Sequence, residues 1–522
     1  MKNNNLFALM AMTVAVIIIL PNPVLSQGVD EIYQEHCASC HGDERFGGMG
    51  PALLPGNLGR LKKKQAESII SSGLPATQMP GFADKISPEQ INQLVELVYS
   101  EPKRIPKWGI DKINESHTVF IAEDKLPKSP IHNADLLNLF VVVESGDHHV
   151  TILDGDKFEP LARFESHYAL HGGAKFSPDG RFVYFGSRDG WVTRHDLYNF
   201  ETIAETRVGI NLRNIAVSSD GRFVMAANYL PNTLVLMNAK DLSVIKIFDI
   251  VDGDGKSSRA SAVYNAPPRE SFLIALKDIP EIWEIPYMDN PKPVAKGLVH
   301  NYKPGQLEGE FDFGPFPVRR IKLDDYLDDF FFDQEYRTAY GAARNAKMGQ
   351  VVNLNVGRKV GDLELSSMPH LGSGITFEYQ GKQVLATPHL SEGAVSVIDM
   401  QSFKTIKRIE TMGPGFFMRG HENSPYAWVD VFFGPNKDVL HVIDMRTLEI
   451  VKTINPAPGK TNAHVEFDRD GSHALVSVWE MDGWVVVYDA ITLEEVKRIP
   501  MKKPVGKYNV FNKINYSSGT SH

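Results

Sequence analysis

Cys37-Ala38-Ser39-Cys40-His41 sets two thiols three positions apart with an imidazole directly behind them. Two thiols at that spacing can each add to one vinyl group of a porphyrin, and the adjacent histidine then reaches the iron from one face. C-x-x-C-H is the attachment signal of a c-type haem. The chain has 2 cysteines, so a Cys37–Cys40 disulfide or redox dithiol is the competing use of the pair. The histidine that follows, and the lack of a thioredoxin-like β-α-β pattern, favour haem c. Met79, in Gln78-Met79-Pro80-Gly81-Phe82, can bring a thioether to the other face of that iron. Methionine is the ligand that raises a c-haem potential and suits electron transfer. Met49 lies closer to the attachment motif and is the weaker candidate, and a core-filling role for Met79 is the plain alternative.

His36 and His41 aside, the 17 histidines all lie beyond this first region. His171, His370, His389, His421 and His464 sit at strand ends or glycine-rich turns. Any one of them reads most simply as a hydrogen-bonded core or surface histidine. A fold that gathers its loops around one central mouth could bring several to a shared ligand. Scattered histidines with no His-x-His or carboxylate pattern argue against a zinc or copper centre. Arg188 and Arg213, each beginning or ending a strand, are candidate partners for carboxylates, with surface arginines as the plain reading.

The elements that must position these residues fall into three parts. Residues 1–26 combine Lys2, an apolar run over 6–20, the breaker Pro21 and small residues before Gln27, which is the pattern of a cleaved secretory signal peptide. An uncleaved N-terminal anchor is the alternative, the run being near the short limit for spanning. Cleavage predicts a soluble, exported protein, periplasmic in a bacterial host. Residues 27–103 read as a small all-α cytochrome c domain, with helices over 29–36, 65–72 and 88–99 and a Gly/Pro loop over 47–55. Residues 104–125, following Pro102, read as a linker.

From 126 to 522 one theme recurs: a turn, then short strands rich in aromatic and β-branched residues. Pro178-Asp179-Gly180-Arg181, Ser219-Asp220-Gly221-Arg222 and Arg469-Asp470-Gly471-Ser472 supply tight hairpin turns. Strands closing on Asp154, Asp399, Asp444 and Asp489 mark the repeats. A period of roughly 40 to 50 residues with this content predicts an all-β, eight-bladed β-propeller, its repeats least regular over 303–358. The chain is of ordinary globular composition, 43% hydrophobic and 23% charged, with a formal net charge of -9. No basic excess exists to neutralise phosphates, which argues against a nucleic-acid partner.

A cytochrome c fused to such a propeller resembles the cytochrome cd1 family, whose propellers hold haem d1. His171-Gly172-Gly173-Ala174-Lys175-Phe176-Ser177-Pro178-Asp179-Gly180-Arg181, running on to Arg188-Asp189-Gly190-Trp191, resembles its proximal haem d1 site, and Gly506-Lys507-Tyr508-Asn509-Val510-Phe511-Asn512 also matches. Met368-Pro369-His370-Leu371-Gly372-Ser373-Gly374, Arg419-Gly420-His421-Glu422-Asn423 and Thr461-Asn462-Ala463-His464-Val465 look more like the dihydro-haem d1 dehydrogenase branch than the nitrite reductases. That resemblance implies His171 as proximal and His464 as distal ligand of the haem d1 iron, with His370 and Tyr508 near the oxidised side chain. His389 and His421 fall near the positions of two distal histidines of nitrite reductases. The implied oxidoreductase completes haem d1 biosynthesis for denitrification: it turns one propionate of dihydro-haem d1 into an acrylate, passing two electrons through haem c to an external periplasmic acceptor. His370 is the first choice as base, with Tyr508 orienting or relaying a proton. The alternatives are a nitrite reductase with haem d1 as permanent cofactor, or a non-enzymatic carrier delivering haem d1 to another protein such as nitrite reductase.

Overall fold

A computed structural model of the chain describes residues 28–47, 50–58, 61–73, 79–104, 106–170, 172–298, 309–343, 348–365 and 369–515. The segment read as a signal peptide, the proximal-ligand candidate His171 and the alternative ligand Met49 lie outside them.

Residues Val29–His36 form the first helix, and Ala38–His41 a single turn that carries the attachment motif. Lys63–Ser72 starts two residues ahead of the expected helix. Pro88–Val98 begins with a capping box, in which Ser87 Oγ accepts from Gln90 N at 3.3 Å and Gln90 Oε1 from Ser87 N at 2.8 Å. Its apolar positions Ile91, Leu94, Val95 and Val98 recur at helical spacing and are all buried. Ile91 and Leu94 pack with Ile32, Tyr33 and Phe82 into the small core of the domain.

The connecting segment is structured. Ile110–Ser116 is a helix with one buried anchor, Ile113, and Thr118–Val119 adds a fifth strand to the edge of a propeller sheet through pairing with Glu205 and Ala204. A seven-residue helix held by a single apolar residue has no periodic signature. It forms because Ile113 and Trp108 pack against the propeller cluster containing Val208 and Leu212.

Eight antiparallel sheets make the propeller, seven of four strands and one that Thr118–Val119 extends to five. Blade 1 consists of Phe140–Glu144, His149–Asp154 and Glu159–Glu165, with Pro504–Asn509 from the C-terminal end as its innermost strand. That last pairing, Val141 with Tyr508 and Val142 with Lys507, closes the ring. The innermost strands of blades 2 to 8 are Lys175–Phe176, Asn211–Val217, Ala260–Ala266, Asp329–Phe332, Ile375–Tyr379, Met418–Arg419 and Asn462–Phe467. Second strands such as Phe182–Gly186 are buried along their whole length, being covered on both faces. Outer strands such as Arg358–Leu363 alternate exposed and covered residues.

The recurring aspartates have a local cause. Asp154, Asp196, Asp399, Asp444 and Asp489 each accept, through one carboxylate oxygen, the backbone N–H two residues on, which turns the chain into the next strand. The Asp-Gly turns need a left-handed residue, supplied by Gly180 at φ +74° and Gly221 at φ +70°. The irregularity after residue 290 reflects a hairpin, Val294–Leu298 with Gly309–Asp312, inserted before the outer strand of blade 4, Arg319–Lys322.

Arg207 of blade 2 seats the cytochrome domain on the propeller. Its Nη2 donates to Phe46 O at 3.0 Å, and its guanidinium lies 4.6 Å from the Trp108 ring centroid. Trp108 Nε1 donates back to Arg207 O at 2.8 Å, while Ala52 and Leu54 pack on Ile210.

Candidate functional sites

Cys37 and Cys40 are free, half-buried thiols at the start of the attachment turn. His41 is buried, and Nδ1 lies 2.8 Å from Pro51 O. A carbonyl only accepts, so Nδ1 carries the hydrogen and Nε2 keeps its lone pair for a metal. Burial also lowers the pKa of His41, favouring the neutral, ligating form. Gly50 lets the imidazole sit where it does, because a Cβ there would come 2.7 Å from His41 Cε1. The cavity that these groups face has a volume of about 1100 Å³ and is lined by Cys37, Cys40, His41 and Met79, with Leu58, Ile70, Phe82 and Leu94 as apolar walls. The donor set and the apolar cleft fit a covalent haem c, for which Cys37, Cys40, His41 and Met79 are the candidate attachment and ligand residues. Loops of the propeller close one side of the same cavity through His148, His167, Tyr168 and Trp191.

A second cluster lies where the innermost strands converge. His464 is buried, and its Nδ1 has no hydrogen-bond partner among the described residues. Its backbone takes φ +54°, a strained value for a residue with a side chain. Two buried groups hold it there: Asp430 Oδ2 accepts from His464 N at 3.2 Å, and Lys507 Nζ donates to His464 O. Burial and the charges of Lys507, Arg419 and Lys513 push the His464 pKa well below the ordinary imidazole value. A neutral, enclosed imidazole with an unused nitrogen fits an iron ligand. Tyr508 packs edge-on against it, with ring centroids 5.4 Å apart, and burial raises the phenol to about 12.

His370 follows the chain crossing from blade 5 to blade 6. Its Nδ1 lies 2.6 Å from Phe416 O, so Nε2 is the basic nitrogen. The Phe416 and Phe417 rings, 4.2 Å and 6.3 Å from the His370 ring, carry the contact onward, Phe417 standing 4.7 Å from His464. Asp430 ties the two histidines into one frame, because its Oδ1 accepts from Phe416 N and Phe417 N at 2.7 and 3.1 Å.

Cations converge on this place from several blades. Lys175, Arg213, Arg419, Lys507 and Lys513 are near enough for their charges to act on one another or on the same neighbours. Lys175 is lowered to about 8 by burial and by the charges of Arg419 and Arg213, while Lys507 and Lys513 are lowered well below the ordinary lysine value, chiefly by burial. Glu466, 3.5 Å from Arg419, and the buried Asp430 offset part of this charge. Arg188 and Arg259 flank the Tyr229 ring at 5.7 and 5.6 Å. Burial would raise that phenol, but the charges of Arg213, Lys277, Arg188 and Arg259 prevail and lower it.

Of the residues singled out in the sequence, His464, Tyr508, His370 and Arg213 therefore gather at the mouth, with Arg188 at its rim beside Tyr229. His389 is fully buried just past the strand Lys382–Pro388, bridged to Pro369, with its Nε2 2.8 Å from Ser396 Oγ. His421 is not brought to His464. The strand Met418–Arg419 carries the chain away from the mouth, and His421 packs on the turn at Gly471 and on Phe467, 5.8 Å off. Lys175, Arg419, Lys507, Lys513 and Asp430 were not singled out as site residues, although a lysine or arginine inside an otherwise buried strand is a readable sign.

The cytochrome d1 haem domain profile matches residues 134–303 and 310–513, and that of the cbb3-type cytochrome c oxidase subunit III matches 27–98. The chain is 54% identical over 94% of its length to a dihydro-haem d1 dehydrogenase of Pseudomonas aeruginosa, covering 95% of that protein. It is 25% identical to a nitrite reductase of Stutzerimonas stutzeri, over 93% of this chain and 92% of that one. A solved structure of dihydro-haem d1 dehydrogenase NirN in complex with DHE superposes with a TM-score of 0.86 at 53% identity, covering 92% of this chain and 99% of that one. With both parts of its propeller matched and this identity across nearly its whole length, the chain belongs to the cytochrome d1 haem domain family.

Proposed function

We propose that the protein is a dihydro-haem d1 dehydrogenase that oxidises one propionate arm of the tetrapyrrole to an acrylate, in the last step of haem d1 biosynthesis. The observation that carries this reading is the buried, neutral His464 with its unused Nδ1, set close to the charges of Lys507, Arg419 and Lys513, with Lys175 near Arg419 and Arg213. Like charges gathered in one place favour a ligand of opposite charge. A tetrapyrrole bearing several carboxylates supplies that charge.

In this reading residues 27–103 form the cytochrome c domain, 104–125 the connection and 126–522 the propeller. His171 and His464 would hold the haem d1 iron, which would leave nitrite no open site. Arg188 and Arg213 hold carboxylates. His370 removes a proton from the propionate arm at Nε2, and Tyr508 orients that arm or relays the proton. His389 and His421 support the walls behind. Cys37, Cys40, His41 and Met79 would hold haem c, which would supply a one-electron acceptor. The aromatic wall of Phe416 and Phe417 keeps water from the reacting arm. Export to the periplasm, an external electron acceptor there and handover of the product to nitrite reductase complete the proposal. Among the described residues no helix is long and apolar enough to cross a membrane.

The test is direct. Purified protein is incubated with dihydro-haem d1 and a one-electron acceptor while the absorption spectrum is followed. Conversion to haem d1, slowed about a hundred- to ten-thousand-fold in His370→Ala with binding retained, supports the reading. Bound but unchanged dihydro-haem d1 would leave a carrier instead.

A further inference from the structure

The oxidation leaves one requirement unmet by His370 alone. Going from –CH2–CH2–COO⁻ to –CH=CH–COO⁻ breaks two C–H bonds and releases two protons and two electrons. Haem c, when bound, would supply the one-electron acceptor, with the external acceptor as the final sink. The protons need a route that returns His370 to its neutral form between the two steps.

Asp329 stands where such a route would begin. It is the first residue of the innermost strand of blade 5, Asp329–Phe332. Its Oδ1 accepts two backbone N–H groups, from Gly372 and Phe330, both at 2.9 Å. That double contact fixes the carboxylate and turns Oδ2 toward His370, whose Nε2 lies 3.6 Å away. Because Nδ1 is engaged with Phe416 O, Nε2 is both the nitrogen that takes a proton and the one that faces Asp329. Gly372 permits this approach, since a Cβ there would come 2.9 Å from Asp329 Oδ1 and 3.4 Å from the Tyr264 hydroxyl.

We infer that Asp329 is the partner carboxylate of His370, stabilising the imidazolium formed at Nε2 and receiving its proton before the second C–H bond breaks. The inference rests on the dehydrogenase reading and adds a positioning residue to it. Burial raises the Asp329 pKa above the ordinary carboxylate value, against the lowering effects of His370, Gly372 N–H and Arg213, so its oxygen can hold a proton in transit. The other titratable groups facing the pair are Arg213 and Tyr264 from blades 3 and 4; His389, whose backbone is bridged to Pro369, turns its Nε2 to Ser396 Oγ.

Asp329→Asn keeps an oxygen for the two backbone donors and removes the charge. With wild-type protein shown to oxidise dihydro-haem d1, the variant is expected to keep KM within about threefold and to lose at least about tenfold in kcat. Without the neighbouring anion the imidazolium is less favoured, so the rising limb of the kcat–pH profile should move to lower pH. Adding Asp329→Asn to His370→Ala should slow turnover no further than His370→Ala alone, within about twofold. Asp329→Glu, which restores a carboxylate, should recover part of kcat and return the limb toward its wild-type position. It also decides the matter if the asparagine variant does not fold. Wild-type kcat and an unmoved limb in Asp329→Asn, or additive losses in the double variant, would overturn the inference while the dehydrogenase reading stands. Absence of turnover in the wild type overturns that reading, and this inference with it.

Discussion

Asp430 and His464 are joined by a backbone contact, His464 N donating to Asp430 Oδ2 at 3.2 Å, and the same carboxylate receives Phe416 N and Phe417 N. One buried side chain thus holds the strained backbone of His464 in register with the loop that orients His370. Burial raises Asp430 to about 6, against the three N–H groups and the charge of Lys507.

Asp430→Ala would leave three backbone donors without their acceptor. Each buried donor so exposed costs about 1–3 kcal/mol, and some relaxation will recover part of it. The expected loss is at least about 2 kcal/mol in urea unfolding with an unchanged slope, together with a changed haem d1 spectrum as His464 is released. A midpoint equal to wild type would show that the frame does not depend on Asp430.

Attachment of haem c should fail in the Cys37→Ala, Cys40→Ala double variant, leaving the propeller folded. Acid-acetone extraction should then remove all haem from the protein. Met79→Ala should keep the covalent bond but lower the haem c potential. Gly50→Ala tests the geometry more finely. Its Cβ would press on the His41 ring at 2.7 Å, so a weakened His41–iron bond should appear in the absorption spectrum. An unperturbed spectrum would mean that the ring does not sit against residue 50.

Lys175 sets a pH dependence. Its pKa is lowered to about 8 by burial and by Arg419 and Arg213. It is charged below that value and neutral above it, and a carboxylate ligand favours the charged form. Affinity for dihydro-haem d1 should therefore fall as pH rises through about 8, by about tenfold between pH 7 and 9 if only the charged form binds. Bound ligand raises the lysine pKa and delays the loss, so the fall is steepest in the free protein's titration. Lys175→Met should bind more weakly at pH 7 and lose this slope, which fluorescence or absorption titration at several pH values would detect.

How far the site was readable depended on whether a residue acts through local spacing or through burial. Cys37, Cys40 and His41 were legible because covalent attachment demands that spacing whatever the surroundings. The closing aspartates and Asp-Gly turns were legible because each makes its contacts within a few residues. Asp329, Asp430 and Lys507 were not. In the sequence Asp329 opens an ordinary strand, and its meaning comes from Gly372 and His370, more than forty positions away in the chain. The helix Ile110–Ser116 was hidden for a related reason, since its one buried residue is matched by a groove on blades 2 and 3 rather than by a pattern of its own.

Electron stoichiometry tests the central claim most directly. Fully oxidised protein is mixed anaerobically with dihydro-haem d1 and no external acceptor, and haem c reduction and acrylate formation are measured together. Each product releases two electrons and each haem c takes one. The account predicts about two haem c reduced for every haem d1 formed, with turnover resuming once an acceptor is added. Product appearing while haem c stays oxidised, or no product from a fully loaded protein, would contradict it.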